Sequence, residues 1–266
     1  KCDWSSDVFS SDLGVFLFMK NSIKLQVVNL HYSSVAYQER SLKSLMANIV
    51  NKKKQHKVSD IHALKDITLE INEGERVGLL GHNGAGKSTF LKTVAGLYPV
   101  SSGHLEVTGK VRSLFDLSLG FEPDATGREN ILYRGLLLGL SPKFMRSIQD
   151  EIVAFADLGE FIDYPIKTYS AGMQVRLAFA ISTSVGGNIL LLDEVIGAGD
   201  ANFMIKAKKR ITALIEQAEI LVLASHDFGT LKEICNRGLL FHKGSLVFDG
   251  PIAGAIEKYK EVNRIS

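Results

Sequence analysis

The segment Gly81-His82-Asn83-Gly84-Ala85-Gly86-Lys87-Ser88 constrains this chain more than any other. It fills every fixed position of the pattern G-x-x-x-x-G-K-[ST]. The apolar run Val77-Gly78-Leu79-Leu80 before it reads as a buried strand. Ser88-Thr89-Phe90-Leu91-Lys92-Thr93-Val94 reads as the opening of a helix. Strand, glycine-rich turn and helix together form the context in which this pattern cradles phosphate. Gly84 and Gly86 let backbone N–H groups approach phosphate oxygens, and the helix N-terminus adds a favourable dipole. Gly81, His82, Asn83, Ala85 and Thr89 complete the expected cradle. Lys87 is expected at the β- and γ-phosphates of a nucleoside triphosphate, and the Ser88 hydroxyl on Mg²⁺. A glycine-rich turn that binds nothing is the bland alternative, and the flanking strand and helix argue against it.

Four further segments follow in order. Tyr169-Ser170-Ala171-Gly172-Met173 places a serine where it caps a helix beginning near Gly172, with hydroxyl and N–H groups facing an anion. Ile189-Leu190-Leu191-Leu192 reads as a central parallel strand buried on both faces, ending in Asp193-Glu194. Asp193 is expected to hold Mg²⁺ through water, and Glu194 to orient and polarise an attacking water. Next comes Gly197-Ala198-Gly199-Asp200, and then Ser225-His226-Asp227 at the end of a second apolar run. Each of these is weak alone, since a strand-end Asp-Glu or His is commonly structural.

In this order the five segments resemble the ATP-binding-cassette (ABC) ATPases. The resemblance implies an α/β fold: a P-loop NTPase with a RecA-like parallel sheet core, an antiparallel β-subdomain and a helical subdomain at about residues 125–185. Ser170 and Gly172 would then meet the γ-phosphate held by the opposite subunit. His226 would be the switch histidine, so that Glu194, His226 and Lys87 form the catalytic set. Asp200 would cross to the partner. Ala171 stands where the family usually has a second glycine. The family's Mg²⁺-sensing glutamine has no counterpart between residues 56 and 148, and Asp116 takes its position. Ser88, Asp193 and Asp116 are thus the expected metal residues. An aromatic near the end of the first strand stacks on adenine in this family; Tyr32 is chosen here over Tyr37 and His62.

Gly120-Phe121-Glu122-Pro123, Leu158-Gly159-Glu160-Phe161, Met173-Gln174-Val175-Arg176 and the Gly-Ala-Gly-Asp segment narrow the resemblance. All look like the ATPases that export O-antigen, teichoic acid and related lipid-linked polysaccharides. The expected cofactors are ATP and Mg²⁺. The expected partners are a second copy, closing head to tail, and an integral-membrane permease, at the cytoplasmic face of a bacterial membrane. Two rivals are weighed: a subunit exporting a drug, haem or lipid, and a soluble ABC ATPase of DNA repair or translation. The single phosphate loop and the lack of a heptad insertion disfavour the latter.

The chain has 266 residues, 45% hydrophobic and 23% charged, enough for one unit with a sizeable core, expected over residues 23–266. No stretch approaches the roughly 18 apolar residues of a membrane span. A net charge of +2 gives no reason to expect nucleic acid. Cys2 and Cys235 are too isolated for a disulfide framework. Residues 1–22 read as a non-native or disordered leader, with Met19 as a candidate native start. Leu42, Leu45, Met46, Ile49 and Val50 share one helical face, followed by the basic run Lys52-Lys53-Lys54. That helix is read either as facing the transporter or as an ordinary surface helix; the lysines also suit anionic lipid headgroups. A helix is expected over 169–184, a hairpin around His242-Lys243-Gly244, and a final helix over 251–262. The chain stops there, without the carbohydrate-binding β-sandwich that some exporters append, so no direct glycan binding is expected.

Overall fold

The computed structural model describes residues 20–34, 59–115, 120–193 and 201–264. Its centre is a six-stranded sheet in the order β5-β6-β7-β3-β8-β9. These strands are β3 (Arg76–Leu80), β5 (Val111–Ser113), β6 (Ile189–Leu192), β7 (Ile220–Ala224), β8 (Arg237–His242) and β9 (Ser245–Pro251). Five run parallel, and β9 returns antiparallel beside β8. A second, antiparallel sheet has the order β2-β1-β4, from β1 (Ser22–Ser34), β2 (Ser59–Asn72) and β4 (Ser102–Thr108).

The apolar runs become strands covered on both faces. In β7, Ile220, Val222 and Ala224 face the small sheet, packing with Ile23, Leu25, Ile67 and Phe90. The alternate Leu221 and Leu223 face the other side, with Leu231, Ile252 and Ile256. The β6 residues divide the same way. A parallel strand buried on both faces needs an unbroken apolar run, and that is what the sequence supplies. The helix α1 (Lys87–Val94) buries Phe90 and Leu91 between the two sheets.

The helices α2 (Gly127–Leu137), α3 (Pro142–Ala156) and α4 (Ala171–Ser184) gather around a cluster of their own, including Ile131, Met145, Ile152, Leu177 and Ile181. Their starts are written locally. Thr126 and Glu129 form a reciprocal capping box at α2, and Ser141 caps α3 with Pro142 in its first turn. Asn130 is fully buried. Its amide donates to the carbonyls of Glu122, Ala125 and Thr126, and its oxygen accepts from Glu122 N, which pins the approach to α2.

The remaining helices are α5 (Ala201–Gln217), α6 (Phe228–Ile234) and α7 (Ile252–Arg264). No described helix is long and apolar enough to cross a membrane.

Three boundaries differ from the sequence reading. The helix expected from residue 169 starts at Ala171, because Ser170 is extended and acts as its cap. The final helix starts at Ile252 because Pro251 still pairs with Arg237 in β9. Ser22, assigned to the leader, pairs with Asn72 and Thr108, and the Asn21 amide donates to Glu219. The folded unit therefore includes residues before Ile23. Tyr37, the helical face Leu42-Leu45-Met46-Ile49-Val50 and the lysines Lys52, Lys53 and Lys54 lie outside the described residues.

Asn130→Ala should lower unfolding stability by about 2–4 kcal/mol, because it strands several buried backbone groups at once. Urea denaturation measures this, and a loss below about 1 kcal/mol would show that water satisfies the approach loop unaided.

Candidate nucleotide site

Gly81 follows the buried end of β3, and Lys87 opens α1. Between them the chain turns tightly, with Ala85 N donating to His82 O at 3.0 Å. Gly86 caps α1 at φ 112° and Gly84 stands at φ 78°, both in the left-handed region. Gly81 combines φ 144° with a close approach: a Cβ there would lie 2.5 Å from Phe241 O. The first N–H groups of an α-helix lack partners within the helix, so the loop and the opening of α1 together present donors to an anion.

Lys87 is buried, and its Nζ donates to Gly81 O at 2.5 Å and His82 O at 3.1 Å. The ammonium thus folds back over the loop that carries it. Ser88 Oγ donates to Asp193 Oδ2 at 2.7 Å, across 105 residues of sequence. The parallel pairing β6–β7–β3 brings the ends of these strands side by side, and so sets Asp193 and His226 beside the loop.

A cavity of about 720 Å³ joins these groups. Its lining includes Tyr32, His62, His82, Asn83, Gly84, Gly86, Lys87, Ser88, Thr89, Asp193 and His226. Tyr32 stands edge-on to Tyr98, with ring centroids 5.6 Å apart. Burial raises the Tyr32 phenol above its ordinary range, although a hydrogen bond with the Thr89 side chain works the other way. His62 stacks on His31 at 3.9 Å, and its Nε2 lies 2.8 Å from Asn29 Oδ1. Burial, and then the neighbouring His31, lower the pKa of His62 and favour a neutral ring. Beyond His226, Asp227 caps α6 by accepting from Gly229 N and Thr230 N and from the Thr230 hydroxyl. These bonds, the Thr230 hydroxyl first, hold its carboxyl below the usual range.

Ser170 is the N-cap of α4, accepting from Met173 N at 3.3 Å. It is exposed, Gly172 is half-buried, and neither lines this cavity. Glu194, Asp200 and Asp116 lie outside the described residues. The motif reading missed Ile61, Ala63, Lys243 and Gly244, which also line the cavity. The hairpin containing Lys243 was legible, but its approach to the loop depends on tertiary pairing.

The model of the family described as ABC transporter matches residues 64–197, from β2 through the phosphate loop to just past Asp193. The chain belongs to the ABC transporter family. Among its family relatives is the O-antigen export system ATP-binding protein RfbE of Yersinia enterocolitica. The two are 48% identical over 180 residues, covering 68% of this chain and 75% of RfbE. RfbB of Myxococcus xanthus, another O-antigen export system ATP-binding protein, is 41% identical over 79% of this chain and 48% of its own length. The teichoic acids export ATP-binding protein TagH of Enterococcus faecalis is 34% identical over 90% of this chain and 52% of its own. The chain thus spans about half the length of RfbB from M. xanthus and of this TagH. Among solved structures, the dimeric ATP-binding cassette MJ0796 bound to ADP and Pi has the same fold. It gives a TM-score of 0.62 at 22% identity, covering 86% of this chain and 98% of that one.

The two glycines that begin and centre the loop predict different sensitivities. Gly84→Ala, with nothing within 4 Å of a new Cβ, meets only the left-handed backbone penalty, about 1–2 kcal/mol. Gly81→Ala meets that penalty and the Phe241 carbonyl as well. Thermal unfolding should show the larger fall in Tm for Gly81→Ala; equal falls would mean the loop can move away from β8.

Proposed function

We propose that this chain is the ATP-binding and ATP-hydrolysing subunit of an exporter at the cytoplasmic face of a bacterial membrane. In this reading two copies close head to tail around two Mg·ATP. Closure and hydrolysis drive a lipid-linked polysaccharide through a separate membrane permease. One observation carries the nucleotide assignment: Ser88 Oγ and the Asp193 carboxylate meet at 2.7 Å beside the Lys87 loop. A hydroxyl and a carboxylate form the hard oxygen donor set that suits Mg²⁺, so the residues present fit that ion. When bound, Mg²⁺ supplies charge neutralisation at the phosphates.

The chain's own residues take the remaining roles. Lys87 and the loop amides hold the β- and γ-phosphates. Glu194, next after Asp193, orients the attacking water and takes up its proton. His226, in the cavity wall, faces the γ-phosphate, and Tyr32 takes the adenine end. Asp116 stands in for the missing glutamine beside the metal. Ser170 and Gly172 serve the nucleotide of the second copy, a role supported by their place at a helix N-terminus outside this chain's own cavity, with Ser170 exposed. Asp200 crosses to that copy. The polysaccharide cargo is supported by the similarity to RfbE and RfbB of O-antigen export and to TagH of teichoic acids export.

Glu194→Gln keeps the shape and removes the base. It should leave ATP binding intact and lower turnover by about 100-fold or more. Wild-type turnover in this variant removes Glu194 from the mechanism.

Composite sites are tested by mixing variants. Lys87→Ala should weaken nucleotide binding, while Ser170→Arg should spare binding by one chain and block closure. A mixed pair retains one complete site, built from the loop of the Ser170→Arg chain and Ser170 of the Lys87→Ala chain. ATPase assays should therefore find part of the activity restored on mixing. No restoration would sink the head-to-tail arrangement.

A further inference from the structure

The turn between β8 and β9 reaches the phosphate loop at Ala85 and Gly86. It has two residues, Lys243 at φ 47° and Gly244 at φ 86°. Positive φ at both positions suits a two-residue hairpin whose first place favours Asn, Asp or Gly. A lysine there is an unusual choice, because its Cβ crowds the backbone in the left-handed region.

The turn is fixed to its surroundings by main-chain atoms. Gly244 N donates to Ala85 O at 2.9 Å, and Gly244 O accepts from Lys65 N at 2.8 Å. A Cβ on Gly244 would lie 2.7 Å from Ala63 O. Hairpin, phosphate loop and β2 therefore meet backbone to backbone, and the root of the Lys243 side chain is held at the cavity edge. Lys243 itself is exposed and lines the same cavity as Lys87 and Ser88. It makes no ion pair among the described residues. The one carboxylate in the described lining is Asp193, already bonded to Ser88.

We infer that Lys243 is a second phosphate-binding lysine of this site, contacting the nucleotide's phosphates from the hairpin side. This rests on the nucleotide reading above. The two lysines differ in kind. Lys87 is buried and tied to loop carbonyls, whereas Lys243 stands in solvent on a rigid turn and acts as a mobile point charge. Because ATP and ADP both bring charged phosphates to this rim, Lys243 stabilises the ground state of both complexes. Its loss belongs in KM more than in turnover at saturation.

The test uses the full chain, with Mg·ATP and Mg·ADP binding measured by calorimetry and steady-state ATPase assays alongside. Lys243→Gln should weaken both nucleotides about tenfold, the lower end expected for a hydrogen bond to a charged group. It should raise KM to match, with saturating turnover retained. Lys243→Arg should bind within about twofold of wild type, since the charge remains. Lys243→Gly relaxes the turn while removing the ammonium, so it should fold at least as stably and still bind weakly. The deficit should shrink at high salt, as a solvent-exposed charge is screened. Wild-type affinity in Lys243→Gln or Lys243→Gly overturns the inference, as does a loss that Lys243→Arg shares. Wild-type protein that binds no Mg·ATP, or a Lys87→Ala variant that binds as well as wild type, defeats the nucleotide reading and this inference with it. Weak binding in Lys87→Ala with none in deficit at Lys243→Gln defeats this inference alone.

Discussion

A phosphate cradle made of backbone amides takes its geometry chiefly from what the backbone leans on. Here the loop from Gly81 to Gly86 leans on β8 and on the hairpin beyond it. Gly81 lies against the Phe241 carbonyl, Ala85 O accepts from Gly244 N, and a Cβ on Gly86 would lie 3.1 Å from Ala63 O. The loop keeps a conformation that only glycine adopts cheaply because three separate segments press on it. Lys87, folded over the carbonyls of Gly81 and His82, closes the same structure from inside.

The strand order then decides which distant residues meet that loop. With β7 between β6 and β3, the carboxyl ends of three parallel strands lie in a row. They carry Asp193, Ser225-His226 and the loop itself. Ligand sites of open parallel sheets gather outside such strand ends, and the cavity here follows that rule. A further chain of rings ties two of the three together. His82 lies 5.5 Å from Tyr259, which lies 5.4 Å from Phe228, two residues after His226. The final helix thus braces the phosphate loop against the segment that follows His226.

Much of this was legible because the informative signals are local. The loop motif, the unbroken apolar runs of β6 and β7 and the Ser170 cap each depend on a few neighbouring residues. The small sheet was less legible. In β1 the alternation of buried residues slips between Leu25 and Val28, where Val27 takes φ 49° at an irregularity in pairing. β2 buries Leu64 and then Ile67, a spacing that breaks the period of two before Leu69 and Ile71 restore it. Lys243 escaped for another reason. Its hairpin could be read from Gly244, but its place beside the loop follows from main-chain bonds to Ala85 and Lys65, which no sequence period encodes.

The two halves of the proposed composite site are built on different foundations. Arg237 of β8 ties the two sheets by donating to Glu70 O of β2 and to Glu75 in the turn after it, while within its own sheet it pairs through two nitrogens with Asp249 of β9. The Asp249 pairing, reinforced by Glu75, holds the Arg237 guanidinium above its ordinary range. A bidentate pair on a mostly buried arginine fixes orientation as well as distance. Tyr32 of β1 and His62 of β2 line the cavity from the small sheet, beside the loop itself. Ser170 instead sits on the helices around Ile131 and Leu177, which have their own core. Their links to α5 include the Phe155-Phe179-Phe203 rings and the pairs Lys206–Asp157 and Arg210–Glu151. In both ion pairs the carboxylate is largely exposed, so these bridges are weak individually. The groups assigned to the chain's own nucleotide thus line one cavity beside the sheet core. The group assigned to a second copy's nucleotide sits on helices with a core of their own, so in the proposed head-to-tail arrangement the two halves of a site would be carried by differently packed parts of the chain.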